Sequence, residues 1–205
     1  MHKVNDIILK LQDKIKKMGF DGQSVINSET IPFDITLIKL CEMNACGNYA
    51  KNYTCPPYVG EPAGLIKKAK TYERLLAFNK IYAIADSFDI EGMDKGNMHF
   101  NALVKNLALF LKSFNIDFLL LTAGGCRICK ICAAVENLPC RHPEHAFASL
   151  EAYCINVSSL AETCKLNYIN GPNTVTYFGG ILFNANQCQH TTVRLSTASP
   201  SNELK

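Results

Sequence analysis

Residues 124–140 read GGCRICKICAAVENLPC, and the rest of the chain is organised around this stretch. A thiolate at every third residue allows one short loop to curl around an inorganic cluster and to give a sulfur to each of three irons. Ferredoxin loops use the same C-x2-C-x2-C run, followed by one further cysteine after a shorter spacer. The stretch therefore predicts a metal centre, and in particular an iron-sulfur cluster of the 4Fe-4S type, on Cys126, Cys129, Cys132 and Cys140.

Two other interpretations of these four cysteines stay open. Zinc also takes four thiolates, often from C-x2-C pairs, but a single zinc ion has no use for a third cysteine at the same spacing. Ordinary buried cysteines behave as small hydrophobes, which explains single cysteines better than a periodic triplet. The metal site is therefore a firmer prediction than the metal itself, with zinc as the alternative cofactor.

A second group of three cysteines precedes the first and has the spacing C-x4-C-x8-C: Cys41, Cys46 and Cys55. Gly47 permits a positive φ or a close backbone approach beside this group, and Pro56-Pro57 stiffens the chain directly after Cys55. The spacing is too open for a zinc knuckle. Three thiolates suit three irons of a cubane and leave the fourth iron to another ligand. The alternative is that these are reduced cysteines in a surface loop.

Composition narrows the class of protein. The chain has 205 residues, ten cysteines and a formal net charge of +3. Its lysines are spread along the sequence, so nothing indicates binding to nucleic acid or to an anionic membrane. Residues 1–17 carry charges throughout, unlike a secretory signal, and no stretch approaches the roughly 18 consecutive apolar residues of a membrane span. We therefore expect a cytoplasmic protein, in which clustered cysteines stay reduced and bind metal or do redox chemistry.

Hydrophobic periodicity predicts a single α/β domain over residues 1–188, with a small mixed or parallel sheet flanked by helices and with cysteine-rich metal-binding loops. Helices are predicted at 3–18, 61–70, 95–114 and 159–166, and buried strands at 75–85, 116–123 and 174–183. The last strand is expected to be interrupted at Gly179-Gly180. Residues 31–40 are predicted to be extended, and the polar residues 189–205 to be a disordered tail.

Several motifs occur in a specific order over residues 40–185: Cys46-Gly47 with Tyr49, then Cys55-Pro56-Pro57-Tyr58, the run from Cys126 to Cys132, Cys140 with Pro143, and Ser149–Tyr153 followed by Ile155-Asn156-Val157. In this order they resemble a family of small microbial proteins of unknown function that are described as predicted metal-binding proteins. The resemblance implies metal binding through these cysteines, as iron-sulfur clusters, and no established reaction. It leads us to expect a small residue such as glycine where Cys154 stands. Cys164 and Cys188 lie outside the motifs and are interpreted as packing residues.

Three functions fit the predicted sites. In the first, the protein carries one or two clusters and acts in electron transfer with a redox partner protein. In the second, it is an enzyme or a small-molecule binder, and the incompletely ligated iron of the three-cysteine site acts as a Lewis acid. The candidates for proton transfer are then Tyr49, Tyr58, His142 and His145. In the third, zinc stabilises an interaction module that has no chemistry of its own.

Two ligand assignments stay open. In two-cluster ferredoxins the last cysteine of a run ligates the other cluster, so Cys140 is a candidate for either site. His142 and His145 are candidate metal ligands as well as candidate surface residues, and Arg141 is placed to offset negative charge at a cluster. No Ser-His-Asp order, P-loop, dinucleotide fingerprint or H-E-x-x-H motif occurs, so hydrolase, nucleotide-dependent and zincin functions have no support.

Overall fold

The computed structural model describes residues 2–114 and 116–184. The predicted tail and Cys188 lie outside these residues. The helices are α1 (His2–Lys17), α2 (Ile38–Glu42), α3 (Pro62–Ala69), α4 (Ile90–Lys112) and α5 (Val157–Thr163), and the strands are β1 (Gly22–Asn27), β2 (Arg74–Ala83), β3 (Phe118–Leu121) and β4 (Thr174–Phe183). One four-stranded sheet flanked by helices confirms the predicted α/β class.

The strand order is β1-β2-β4-β3, and every pair of neighbouring strands is antiparallel. We predicted a mixed or parallel sheet, and the strand pairing corrects that prediction. Strands β2 and β3, which α4 connects, do run in the same direction, because both are antiparallel to β4. However, the last strand of the domain is inserted between them. The result is a split β-α-β arrangement, which the local order of strand, helix and strand does not reveal.

Strand β4 is continuous, so the predicted interruption at Gly179-Gly180 is wrong. A Cβ on Gly179 would lie 2.6 Å from the ring of Phe78 and 2.9 Å from the carbonyl oxygen of Leu121. The missing side chain therefore lets the central strand pack closely against its neighbours, which is a common reason for glycine inside a strand.

Strand β2 is buried on both faces, and its alternating side chains contribute to two separate hydrophobic cores. Leu76 and Phe78 belong to the core that α1 and α4 cover, which also contains Leu11, Ile15, Phe100, Val104 and Leu107. Leu75 and Ala77 face the opposite core, built with α3 and α5 from Leu65, Ala69, Leu150, Tyr153 and Leu160. No helix in the described part of the chain is both long enough and apolar enough to cross a membrane.

Local capping explains where two elements differ from expectation. Helix α4 begins five residues earlier than predicted, at Ile90, because the Asp89 carboxylate accepts a 2.8 Å hydrogen bond from the Gly92 amide. Residues 31–40 are not extended as predicted: the Asp34 carboxylate caps a 3-10 turn that leads directly into α2. As a consequence, Cys41 lies within a short helix instead of following a strand.

Candidate metal centre

The four cysteines between residues 126 and 140 surround one small pocket. Its volume is about 270 Å³ when the part open to solvent is included. The residues that line it are Cys126, Ile128, Cys129, Cys132, Cys140, His142 and Ala146. The structure thus places Cys140 with the other cysteines of its own stretch. All nine cysteines in the described residues are free, and none is tied up in a disulfide.

Opposing influences act on the thiol of Cys126 in this pocket, and its pKa is raised overall. Burial raises the pKa of the Cys126 thiol, a hydrogen bond from the Ile128 amide lowers it, and the neighbouring Cys132 and Cys140 raise it. The ammonium of Lys105 also acts on Cys126 and lowers its pKa. Hydrogen bonds and positive charge at sulfur are the means by which a protein tunes a cluster.

Arg141 lies beside Cys129, another of the four cysteines that line the pocket. Its hydrogen bond with the Cys129 sulfur, and then the charge of Glu136, raise the pKa of the guanidinium. The same guanidinium donates 3.0 Å hydrogen bonds to the carbonyl of Ile131 and to the carboxylate of Glu136. The guanidinium thus lies beside one of the four cysteines, and its role in offsetting negative charge at a cluster stays a prediction.

Two asparagines of α4 fix the point at which the chain leaves the sheet. The side-chain amides of Asn97 and Asn101 donate hydrogen bonds of 3.3 and 3.2 Å to the backbone carbonyl of Ala123. The hydroxyl of Thr122 donates a 2.9 Å hydrogen bond to the side-chain oxygen of Asn101. The next residue, Gly124, has φ +74°, a conformation that favours glycine. Sequence reasoning missed these asparagines, although two polar residues four apart on the apolar face of a helix are a usable signal.

The three-cysteine group is assembled from α2 and from the turns that follow it. Burial raises the pKa of Cys55 to about 11, a hydrogen bond from Asn52 opposes this effect, and Cys46 and Cys41 add to it. Burial also raises the pKa of Cys41, followed by the charges of Cys46 and Glu151. These mutual effects indicate that the three thiols and the Glu151 carboxylate lie in one region, but no three such side chains in the described residues are close enough to hold a single metal ion. Cys46 is the exposed member of the group.

A buried polar network joins the two cysteine groups. The hydroxyl of Thr54, the residue before Cys55, donates a 2.8 Å hydrogen bond to Asn52 and accepts a 2.9 Å hydrogen bond from the amide of Cys126. Gly125 packs directly against this network, because a Cβ there would lie 3.0 Å from Asn52 and 2.9 Å from Asn48. The Cys55 loop and the Cys126 loop are therefore in direct contact.

A second hydrogen bond joins the same two loops. The hydroxyl of Tyr53 donates to the carbonyl of Leu138 over 2.6 Å. The sequence contains no signal for this bond or for that of Thr54, since both join residues more than 70 positions apart.

The candidate histidines and tyrosines lie in different surroundings. His142 lines the four-cysteine pocket, whereas His145 lies 3.4 Å from Glu144 and lines a neighbouring pocket. The amide of Tyr49 donates to the side chain of Asn44, and the ring of Tyr58 packs edge-on against Tyr53. His142 thus shares a pocket with all four cysteines, and His145 shares one with Cys126 alone.

The two remaining described cysteines are buried away from the pocket. Cys154 has φ +57°, in the left-handed region that favours glycine, which explains why a small residue was expected there. Cys164 belongs to the core beside α3 and α5, which confirms its interpretation as a packing residue.

The donor set fits a metal centre held by thiolates, either a cluster or a single ion. Within the described residues, no three His, Cys, Asp or Glu side chains are close enough together to hold one metal ion. With Zn–S bonds of about 2.3 Å, tetrahedral zinc needs sulfurs about 3.8 Å apart. In a cubane each thiolate binds a different iron, so the sulfurs stand farther apart. Four thiols around one pocket are donors that either kind of centre uses.

Fold and site together define a mixed α/β protein with two adjacent thiol groups. The chain belongs to the family described as "Predicted metal-binding protein (DUF2284)", whose model matches residues 24–183. This match confirms the resemblance seen in the sequence, and it includes every cysteine of both groups. No curated protein and no solved structure matches the chain. Metal binding is therefore supported at the level of the family.

Proposed function

We propose that the protein holds iron-sulfur clusters of the 4Fe-4S type and acts in electron transfer. One cluster is held by Cys126, Cys129, Cys132 and Cys140, and Cys41, Cys46 and Cys55 contribute to a second. The observation that carries the proposal is the pocket that all four cysteines of the first group line. When bound, such clusters exchange single electrons at potentials that the protein sets.

The chain's own residues supply what a cluster of this kind requires. The Ile128 amide and the Arg141 guanidinium act on ligand sulfurs, and such contacts stabilise negative charge there. Thr54 and Tyr53 hold the two cysteine loops against each other, which supports a fixed separation between the two groups. We propose a redox protein as the partner and the cytoplasm as the compartment, where thiols remain reduced.

One observation favours a second candidate function, an enzyme or small-molecule binder. The N-terminal group offers three thiols, and the Glu151 carboxylate is close enough to Cys41 to raise the pKa of that thiol. A carboxylate is a harder and more readily displaced ligand for iron than a thiolate. An iron ligated in this way would accept an oxygen, nitrogen or sulfur atom of a substrate.

Anaerobic purification followed by spectroscopy tests the proposal. We expect a brown protein with broad absorbance near about 400 nm that dithionite bleaches, and an electron paramagnetic resonance signal of the reduced protein. A change of that signal on addition of cyanide would favour the second candidate, and an unchanged signal would favour electron transfer alone. A colourless protein with stoichiometric zinc would overturn both.

A further inference from the structure

A second pocket lies on the other side of Cys126, between α4 and the cysteine loop. Its cavity volume is about 220 Å³, which is below the roughly 300–1,000 Å³ of drug-sized ligand sites and limits the pocket to a smaller molecule. Cys126 and Ile128 line both this pocket and the four-cysteine pocket. A molecule bound in the second pocket would therefore lie directly beside one sulfur of the candidate metal centre.

Basic side chains line this second pocket. Lys105, Arg127 and His145 line it, and none of the described residues that line it is acidic. Arg127 is paired with Asp94 at 3.1 Å, outside the lining, and His145 lies beside Glu144.

Lys105 differs from these two residues in its surroundings. It is half-buried on α4, its charge acts on the Cys126 thiol, and no carboxylate among the described residues is paired with it. The pocket therefore has one ammonium that no carboxylate of the described residues neutralises.

Apolar side chains complete the pocket. Ile128, Phe147 and the exposed Met98 provide hydrophobic contact surface beside the charged group. One ammonium next to an apolar wall matches a molecule with one negative charge and a hydrocarbon body. A phosphate dianion is usually held by several donors, whereas here Arg127 and His145 already lie beside carboxylates.

We propose that this pocket binds a small organic carboxylate, whose carboxylate group pairs with Lys105 and whose apolar part packs against Phe147 and Ile128. Binding requires no metal in the neighbouring pocket. The inference thus goes beyond the proposed function, and either one can fail without the other.

Calorimetry and saturation-transfer NMR on the full chain, purified anaerobically, test this inference with three probes. Benzoate carries both required features, its neutral isostere benzamide lacks the charge, and inorganic phosphate lacks the apolar body. We expect benzoate to bind at millimolar or lower concentration and benzamide to bind about tenfold more weakly, because a hydrogen bond to a charged group is lost. Phosphate should not displace benzoate.

Variants of Lys105 provide the matched controls. Lys105→Met should weaken benzoate binding about tenfold, whereas Lys105→Arg should retain it because the charge is kept. Lys112→Met removes an exposed lysine of the same helix outside the pocket and should leave binding unchanged. Equal binding by the Lys105→Met and Lys112→Met variants would overturn the inference. So would phosphate displacing benzoate, or the absence of benzoate binding to the unmodified chain.

Discussion

The two cysteine groups differ in what holds their thiols in place. The four-cysteine group comes from one stretch of 15 residues that leaves β3 directly, and the asparagines of α4 fix its starting point. The three-cysteine group comes from a short helix and irregular turns, and Asn52 and Thr54 connect it to the first group. The difference teaches that the sheet positions one site, and that this site in turn positions the other.

Removal of one thiol from either group should have the largest effect, which is a loss of iron and sulfide from the protein. We expect Cys129→Ser to lose the cluster of the four-cysteine group, so that iron and sulfide per chain fall by about half. Cys46→Ser should lose only the other cluster. Iron and sulfide analysis with paramagnetic resonance checks both variants, and Cys164→Ala serves as the control because this thiol lies in the core. Equal losses in all three variants would contradict separate sites.

A side chain at Gly125 should separate the two groups. Its Cβ would lie within 2.9–3.0 Å of Asn48 and Asn52, so Gly125→Ala must displace the Cys55 loop. We expect the free energy of unfolding to fall by about 1–3 kcal/mol, as for other overpacked sites. Urea unfolding measures the change. Gly64→Ala is the matched control, since no atom lies within 4 Å of its Cβ, and it should be neutral or stabilising.

Loss of the Thr54 hydroxyl should have a smaller effect on the same contact. Thr54→Val keeps the shape of the side chain but leaves the Cys126 amide without its acceptor, which costs about 1 kcal/mol. Hydrogen exchange at the Cys126 amide should accelerate at the same time. Thr71→Val removes an exposed hydroxyl that bonds to the carbonyl of Lys68, and it should change neither quantity measurably. An unchanged exchange rate in Thr54→Val would show that the network does not join the loops.

Alkylation of the metal-free protein should distinguish the thiols of the three-cysteine group. Of the four predictions, this one concerns the smallest change in the protein. Burial raises the pKa of Cys55 to about 11, so little of it is thiolate at pH 8, and its reaction rate should rise about tenfold per pH unit up to that pKa. Exposed Cys46 should react first. Peptide mass spectrometry after timed iodoacetamide treatment measures the order. Faster reaction of Cys55 than of Cys46 at pH 8 would contradict the burial seen here.

The sequence predicted the parts of the molecule that depend on local patterns. Apolar residues at helical spacing, among them Leu11 and Ile15, predicted the helix at 3–18 that the structure shows as α1. The proline at position 62 marks the start of the helix predicted at 61–70, which is α3. The spacing of the cysteines from Cys126 to Cys132 brought them to one pocket, because three residues make about one turn of a tight loop. Each of these features is encoded within about 20 neighbouring residues.

The features that the sequence did not reveal are long-range. The insertion of β4 between β2 and β3 depends on a strand more than 50 residues after β3. The contact of Thr54 with Cys126 joins loops that are 72 positions apart. Lys105 lies on α4 like any solvated lysine, and only the folded chain places it beside Cys126. Local periodicity contains no information about such pairings.

Elemental analysis of the anaerobically purified chain tests the central claim most directly. If the two thiol groups hold cubane clusters, iron and acid-labile sulfide should be present in equal amounts, at about four to eight atoms of each per chain, with zinc below stoichiometric levels. About one zinc per chain without sulfide would contradict the account, because it would assign the cysteines to a single tetrahedral ion.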